Sequence, residues 1–413
     1  MTKYNTYQLS NGLRIIHKPM LSQVVYCGYE INVGTRDELS GEEGLAHFCE
    51  HASFKGTSRR KAIDIIKCLD GVGGDLNAFT NKENTVYYAA ILKDHVAKAV
   101  DLLTDMVFHS TYPQSEIAKE TEVICDEIES YNDSPAELIY DEFENSLFAG
   151  HPLRHSILGT AEQLRKYTSE DISKFARRYY CPENMVFFAY GDVDPKRLVR
   201  MLEKATADFP DCEAVIGDAE PADKSLLPIY TPKETVIEKG THQAHVMIGN
   251  RTYSAHDEKR MPLYLLNNIL GGPGMSARLN LSLRERHGLV YTVESTMTTY
   301  SDTGMWSVYF GCDPHDIDKC RKLVMRELDR IMEKPLSAAQ LAAAKRQIKG
   351  QIAIACDNNE NYALDFGKSF LHYGWEKDTD RLFTQIDNLT ADDIQRVAQE
   401  VFAPDRLSTM IIK

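Results

Sequence analysis

The stretch GLAHFCEHASFKGT, residues 44–57, places His47 and His51 four positions apart with Glu50 between them. On a helix each residue advances by about 100°, so the two imidazoles share a face to within about 40°. Two neutral imidazoles side by side make a good clamp for zinc, which favours nitrogen donors in a tetrahedral arrangement. A carboxylate beside them is placed to take a proton from a water that the metal polarises. The pattern H-x-x-E-H is the reverse of H-E-x-x-H, which carries the same chemistry. Leu45, Phe48 and Phe54 add the apolar spacing of a packed helix. His47, Glu50 and His51 therefore read as a metal clamp with a base.

A catalytic zinc needs a third protein ligand and keeps one position open. A candidate stretch is SEIAKETEVICDEIESY, residues 115–131, where Glu120 and Glu127 stand seven apart, two helical turns, on one face. One carboxylate can point at the metal while the other holds a ligand histidine through its free ring N–H. Spacing alone leaves open which does which. Cys49 and Cys125 point well away from the ligand positions of their helices and are set aside as ligands.

The elements around these residues set the architecture. At 413 residues the chain is long enough for two or three domains. Hydrophobic residues make up 43% and charged residues 26%, a globular composition. With a net charge of −14, nucleic acid is not expected as a partner, since phosphate binding needs a basic surface. No apolar run approaches the ~20 residues that span a bilayer, so no membrane is expected. The opening MTKYNTYQLSNG shows no leader pattern, which makes the cytoplasm the expected location. Nine scattered cysteines without a C-x-x-C pair read as reduced core residues.

Strand-like and helical runs alternate in the same order twice. The first half reads as a hairpin start at Ser10–Gly12, a strand at Val24–Gly34, the motif helix, a second helix, two strands around DLNAFT and NTVYYAAIL, a run of helices, and a strand at Met185–Gly191. From about 210 to 232 four prolines break the pattern. The second half repeats the order with QAHVMIGNRTYS, RMPLYLLNNILGG, LVYTVESTMTT, GMWSVYFG, further helices and RLSTMIIK. The predicted fold is α+β: two homologous domains, each a mainly antiparallel sheet packed against several helices. The boundaries are 1–212 for a metal-bearing domain, 213–232 for a linker and 233–413 for a second domain. Where the first half has its histidines, the second has LYLLNNIL, which offers nothing to a metal.

Over nearly its whole length the chain resembles the insulin-degrading enzyme, pitrilysin and mitochondrial processing peptidase family of zinc peptidases, in the two-domain form of its half-length bacterial members. That family's signature is H-x-x-E-H followed by a glutamate about 75 residues on, with another glutamate seven residues before it. Here 75 residues separate His51 from Glu127, and Glu120 fills the earlier place. By that match Glu127 is the third ligand of a Zn2+ ion and Glu120 the partner that supports a ligand. HPLRHSILGT, RRYYCPENM and YGDVDP also resemble the family's first domain; no chemistry is assigned to them. The resemblance implies that substrate adds as a strand to a sheet edge in GGDLNAFT, at Asn77, Ala78 and Phe79. In SLRERHGLVYTVES it matches Arg284 and Tyr291 to a pair that binds substrate beside the metal.

What the resemblance implies is a zinc-dependent metalloendopeptidase that hydrolyses peptides or unfolded protein segments. Longer members enclose substrate with four such domains, so two copies of this chain should meet, as a homodimer or as a heterodimer with a homologous subunit. The reading from another class is a non-catalytic scaffold or assembly subunit on the same fold.

Overall fold

The structure is a computed structural model that describes residues 4–209, 227–374 and 378–413. Positions 213–226 of the expected linker lie outside the described residues. The strands, in chain order, are β1 (Asn5–Gln8), β2 (Arg14–Pro19), β3 (Val24–Ile31), β4 (Asp75–Thr80), β5 (Thr85–Leu92), β6 (Met185–Gly191), β7 (Glu234–Ile237), β8 (Ala244–Thr252), β9 (Val290–Thr299), β10 (Gly304–Cys312) and β11 (Ser408–Ile412). They form two sheets, ordered β1-β2-β6-β3-β5-β4 and β7-β11-β8-β10-β9.

Leaving β1 aside, the two sheets repeat strand for strand. β2 runs parallel to β6 as β7 does to β11, and every other neighbouring pair is antiparallel. The α+β class and the doubled, mainly antiparallel architecture are thus observed. β1 and β2 form the hairpin that Asn11-Gly12 signals.

In the first sheet the strand period of two sends alternate residues to opposite faces. Met185, Phe187 and Ala189 of β6 join one buried cluster; Val186, Phe188 and Tyr190 join another. Both faces are covered, so β6 reads as an unbroken apolar run. The first cluster takes in Leu45, Phe48, Cys49 and Ala52 of the helix Leu45–Ala52, together with residues of the helices Val96–His109 and Ser169–Tyr179. The opposite face is covered by Tyr362, Ala363 and Phe366 of the helix Asn359–Tyr373. Gly367 lets that helix approach: a Cβ there would lie 2.9 Å from the Phe188 ring.

The chain forms two compact units, and their boundary is not a single cut at the linker. Segment Ser130–Arg154 belongs to the second unit, and the stretch from Ala355 that holds the helix Asn359–Tyr373 belongs to the first. In the second unit Ile139, Phe143 and Leu147 of the helix Pro135–Leu147 pack with Met247, Met305, Tyr309 and Met410. Contiguous domains at 1–212 and 233–413 differ from this arrangement in those two segments. Each is a helix that gains its apolar partner on a sheet encoded in the other half of the chain.

Among the described residues no helix is long and apolar enough to cross a membrane. Among the described residues seven cysteines are free thiols, in line with a reduced set. Cys181 departs from that expectation and is disulfide-bonded.

Candidate metal centre

The helix Leu45–Ala52 turns Leu45, Phe48, Cys49 and Ala52 into the apolar cluster, which leaves His47, Glu50 and His51 on its remaining face. His47 and Glu50 are nevertheless buried, because β4 and the helix Gln114–Asn132 close over them. The two imidazole centroids lie 4.4 Å apart. The helix Gln114–Asn132 buries Ile117, Thr121, Ile124 and Cys125 and thereby points Glu120 and Glu127 inward. Val123, lying between the two glutamates, is exposed.

Glu127 Oε2 stands 3.9 Å from His47 Nε2 and 3.7 Å from His51 Nε2. One donor atom from each of the three residues falls within a 4.8 Å span. These separations are too long for hydrogen bonds. They suit donors grouped round an ion: bonds of about 2.0–2.2 Å in a tetrahedron set neighbouring donors roughly 3.4 Å apart. The donor set of two imidazoles and a carboxylate fits zinc.

Glu120 has another role. Its Oε1 lies 2.9 Å from His51 Nδ1 and its Oε2 2.5 Å from Lys55 Nζ. With Nδ1–H donating to Glu120, the lone pair of His51 Nε2 faces Glu127. Burial raises the Glu120 carboxyl, but His51 and Lys55 outweigh it and hold the group below its usual range. Burial likewise lowers His51, yet the bond to Glu120 and the charges of Glu50, Glu120 and Glu127 leave it raised. His47 is pushed down to about 3 by burial and by its neighbour His51. It is therefore a neutral imidazole, the form that binds metal.

Glu50 is pushed up to about 7, chiefly by burial, against the opposing pull of His51 and Thr80. The Thr80 hydroxyl donates to its Oε2 at 3.2 Å. That strand, β4, is the outer strand of its sheet. It carries Asn77, Ala78 and Phe79, with Ala78 packed toward the metal helix's cluster and Phe79 edge-on to Tyr88 at 6.2 Å. This outer strand is thus joined to the helix that carries His47 and His51 through the Thr80–Glu50 hydrogen bond.

Arg284 and Tyr291 belong to the second unit. Arg284 sits in the helical turn Asn280–Glu285 and Tyr291 at the start of β9. The turn brings them together, with the guanidinium 5.4 Å from the ring centroid. Tyr291 is 81% exposed. In the second unit the helix Arg260–Gly271 follows β8 as the metal helix follows β3, and its polar residues serve packing: Asn267 accepts from Trp306 Nε1 at 3.1 Å.

Thr80, Lys55 and the buried Glu38, which accepts from the backbone N–H of Gly44 and Ala46, were not singled out by spacing. Lys55 lies three residues past the end of the helix, so helical spacing does not mark it.

Residues 15–161 match the family described as insulinase (peptidase family M16), and residues 166–348 match the domain described as the peptidase M16 inactive domain. A Streptomyces coelicolor protein named as a zinc protease is 34% identical over 402 residues, covering 95% of this chain and 86% of its own. A Bacillus subtilis protein, also named as a zinc protease, is 31% identical over 407 residues, covering 98% and 97%. The crystal structure of a protease from Helicobacter pylori superposes with a TM-score of 0.89 at 23% identity over the full length of both chains. That of a peptidase M16 inactive domain from Pseudomonas fluorescens gives 0.88 at 19%, covering 99% and 97%; both show the shared fold. The chain belongs to peptidase family M16, and its homologues are named as zinc proteases.

Proposed function

We propose that this chain is a zinc-dependent endopeptidase that hydrolyses peptides or unfolded protein segments in the cytoplasm. The observation that carries the reading is the convergence of His47, His51 and Glu127 within 4.8 Å, with the buried Glu50 on the same helix. His47, His51 and Glu127 would hold the ion, and Glu120 would fix His51 through Nδ1. Zinc bound there supplies Lewis acidity toward a carbonyl and a water.

Glu50 acts as general base. It takes a proton from the attacking water on a carboxylate oxygen and returns it to the leaving nitrogen. Burial raises its carboxyl in the metal-free site, which favours it as a proton acceptor. Thr80 occupies Oε2, which leaves Oε1 for the water. An extended peptide adds to the open edge of β4 at Asn77–Phe79; backbone pairing there accepts many sequences. Arg284 binds a substrate carbonyl, and the Tyr291 hydroxyl meets the oxygen that gains charge. Two chains enclose the substrate, as a homodimer or with a homologous partner.

A scaffold subunit has no use for an intact donor set with a base beside it. The deciding experiment is Glu50→Gln, which keeps shape and removes the base. The variant should retain the parent's zinc and lose about 10²–10⁴-fold in turnover of a quenched peptide. Cleavage at the parent's rate would end this reading.

A further inference from the structure

The motif HPLRHSILGT has no part in the chemistry described above, yet its second half presses on the entrance of the metal helix. Gly44, which precedes that helix, has φ 88°, and Gly159 has φ 69°. A Cβ on Gly44 would lie 2.7 Å from the Leu158 carbonyl oxygen, and one on Gly159 would lie 2.5 Å from that of Glu43. Two glycines in left-handed conformations let the loops touch backbone to backbone.

Gly44 offers no side chain to cap the helix. Glu38 does so from six residues upstream: its Oε2 accepts from Gly44 N at 3.0 Å and its Oε1 from Ala46 N at 2.7 Å. The carboxyl is fully buried, and its third partner is His155, whose Nε2 lies 2.8 Å from Oε2. Lys82, in the turn between β4 and β5, donates its Nζ to the His155 carbonyl.

These contacts close a ring. β4 holds Glu50 through Thr80; Glu50 stands on the metal helix; that helix is capped by Glu38; Glu38 is held by His155; and His155 is tied to Lys82, two residues beyond Thr80. An eight-residue helix is thus tied at its N-terminus to the turn that follows β4 and through Glu50 to β4 itself. An isolated helix of that length has no stability of its own in water.

We propose that Glu38, His155 and Lys82 are positioning residues that hold the metal helix in register with β4, so that Glu50 keeps its place against a peptide added to that strand. They touch neither metal nor substrate. The proposal rests on the peptidase reading for its kinetic consequence and on the geometry alone for its mechanical one.

The test compares His155→Ala, His155→Gln and Lys82→Met with the parent, each as the full chain loaded with zinc. In His155→Ala, amide exchange of the peptide spanning residues 43–48 should quicken by about tenfold or more. Its kcat should fall by about 10–100-fold, with KM within roughly threefold and zinc stoichiometry kept, since small misplacements of a reacting group carry such costs. His155→Gln keeps an N–H for Glu38 and should restore most of both. Lys82→Met should shift both in the same direction by less, and it carries the test if His155→Ala does not fold. Unchanged exchange and kcat in all three variants, or a glutamine no better than alanine, would overturn the proposal. A parent without peptidase activity would sink the functional reading, while the exchange arm would still decide the ring.

Discussion

Glu120 and Glu127 share a helix face but not an environment. Glu120 is buried and saturated by His51 and Lys55, so it has no oxygen to spare for an ion. Glu127 is about one-third exposed and faces both Nε2 atoms at 3.7 and 3.9 Å. Their replacements should therefore rank in a fixed order. Glu120→Gln should weaken zinc binding by about 10–100-fold, the usual cost of losing a partner of a ligand histidine. Glu127→Gln removes a charged donor and should cost more. Competition with a coloured chelator measures both, and the opposite ranking would give the ligand's role to Glu120. The shared placement of His47, His51 and Glu50 was legible in the sequence because their relation is local, one helical turn. The different contacts of Glu120 and Glu127 were not legible from the residues, since both satisfy the same spacing; only the family resemblance told them apart. Thr80 and Glu38 reach Glu50 and the helix entrance from separate elements, and no spacing records that.

At the scale of elements, runs such as MVFFAYG of β6 declare themselves as strands because both faces are packed. The exchange of the helices Pro135–Leu147 and Asn359–Tyr373 between the two sheets was not legible. Ile139, Phe143 and Leu147 show an apolar stripe four residues apart, but a stripe does not say which sheet it meets. The face of the first sheet under Asn359–Tyr373 also buries Glu30 of β3. Burial raises its carboxyl to about 8, despite the hydrogen bond from Asn84 at 2.9 Å and the pull of Lys368, while Asp365 pushes the same way as burial. A carboxyl whose value in the fold lies above its unfolded 4.5 favours folding when protonated. That contribution is complete below about pH 4.5 and is lost as pH rises through about 8. Glu30→Gln should thus match the parent in urea stability near pH 4.5. At pH 8.5 it should exceed the parent, by a few kcal/mol at most. A difference that stays constant across that range would mean that Glu30 is ionised in the fold and paired with Lys368.

For the whole molecule the telling fact is one topology used twice and, among the described residues, one group of donors close enough together for a metal ion. The second unit has the strand order of the first, but on its helix Arg260–Gly271 the Asn267 side chain accepts from Trp306 Nε1, while its backbone carbonyl accepts from the Ser295 hydroxyl. Each chain therefore offers one set of donors and, in its other unit, the Arg284–Tyr291 pair on an exposed turn. If β4 takes substrate as the proposed function has it, the site would accept extended backbone only, because a folded substrate has already paired its own backbone groups. Enclosure by a second chain, as proposed, would sharpen that filter and tie activity to assembly. Two outcomes are expected together. Sedimentation at working concentration should give about twice the chain mass of 46.8 kDa, and specific activity should fall on dilution as the dimer dissociates. Under the same conditions a compact, disulfide-bonded protein should survive intact, while its reduced and alkylated chain is cut. Full activity in a monomer would remove the second subunit from the mechanism and leave the β4 edge as the filter. Rapid digestion of the compact protein would remove the edge as well, since a folded surface can reach an open cleft but cannot pair with β4.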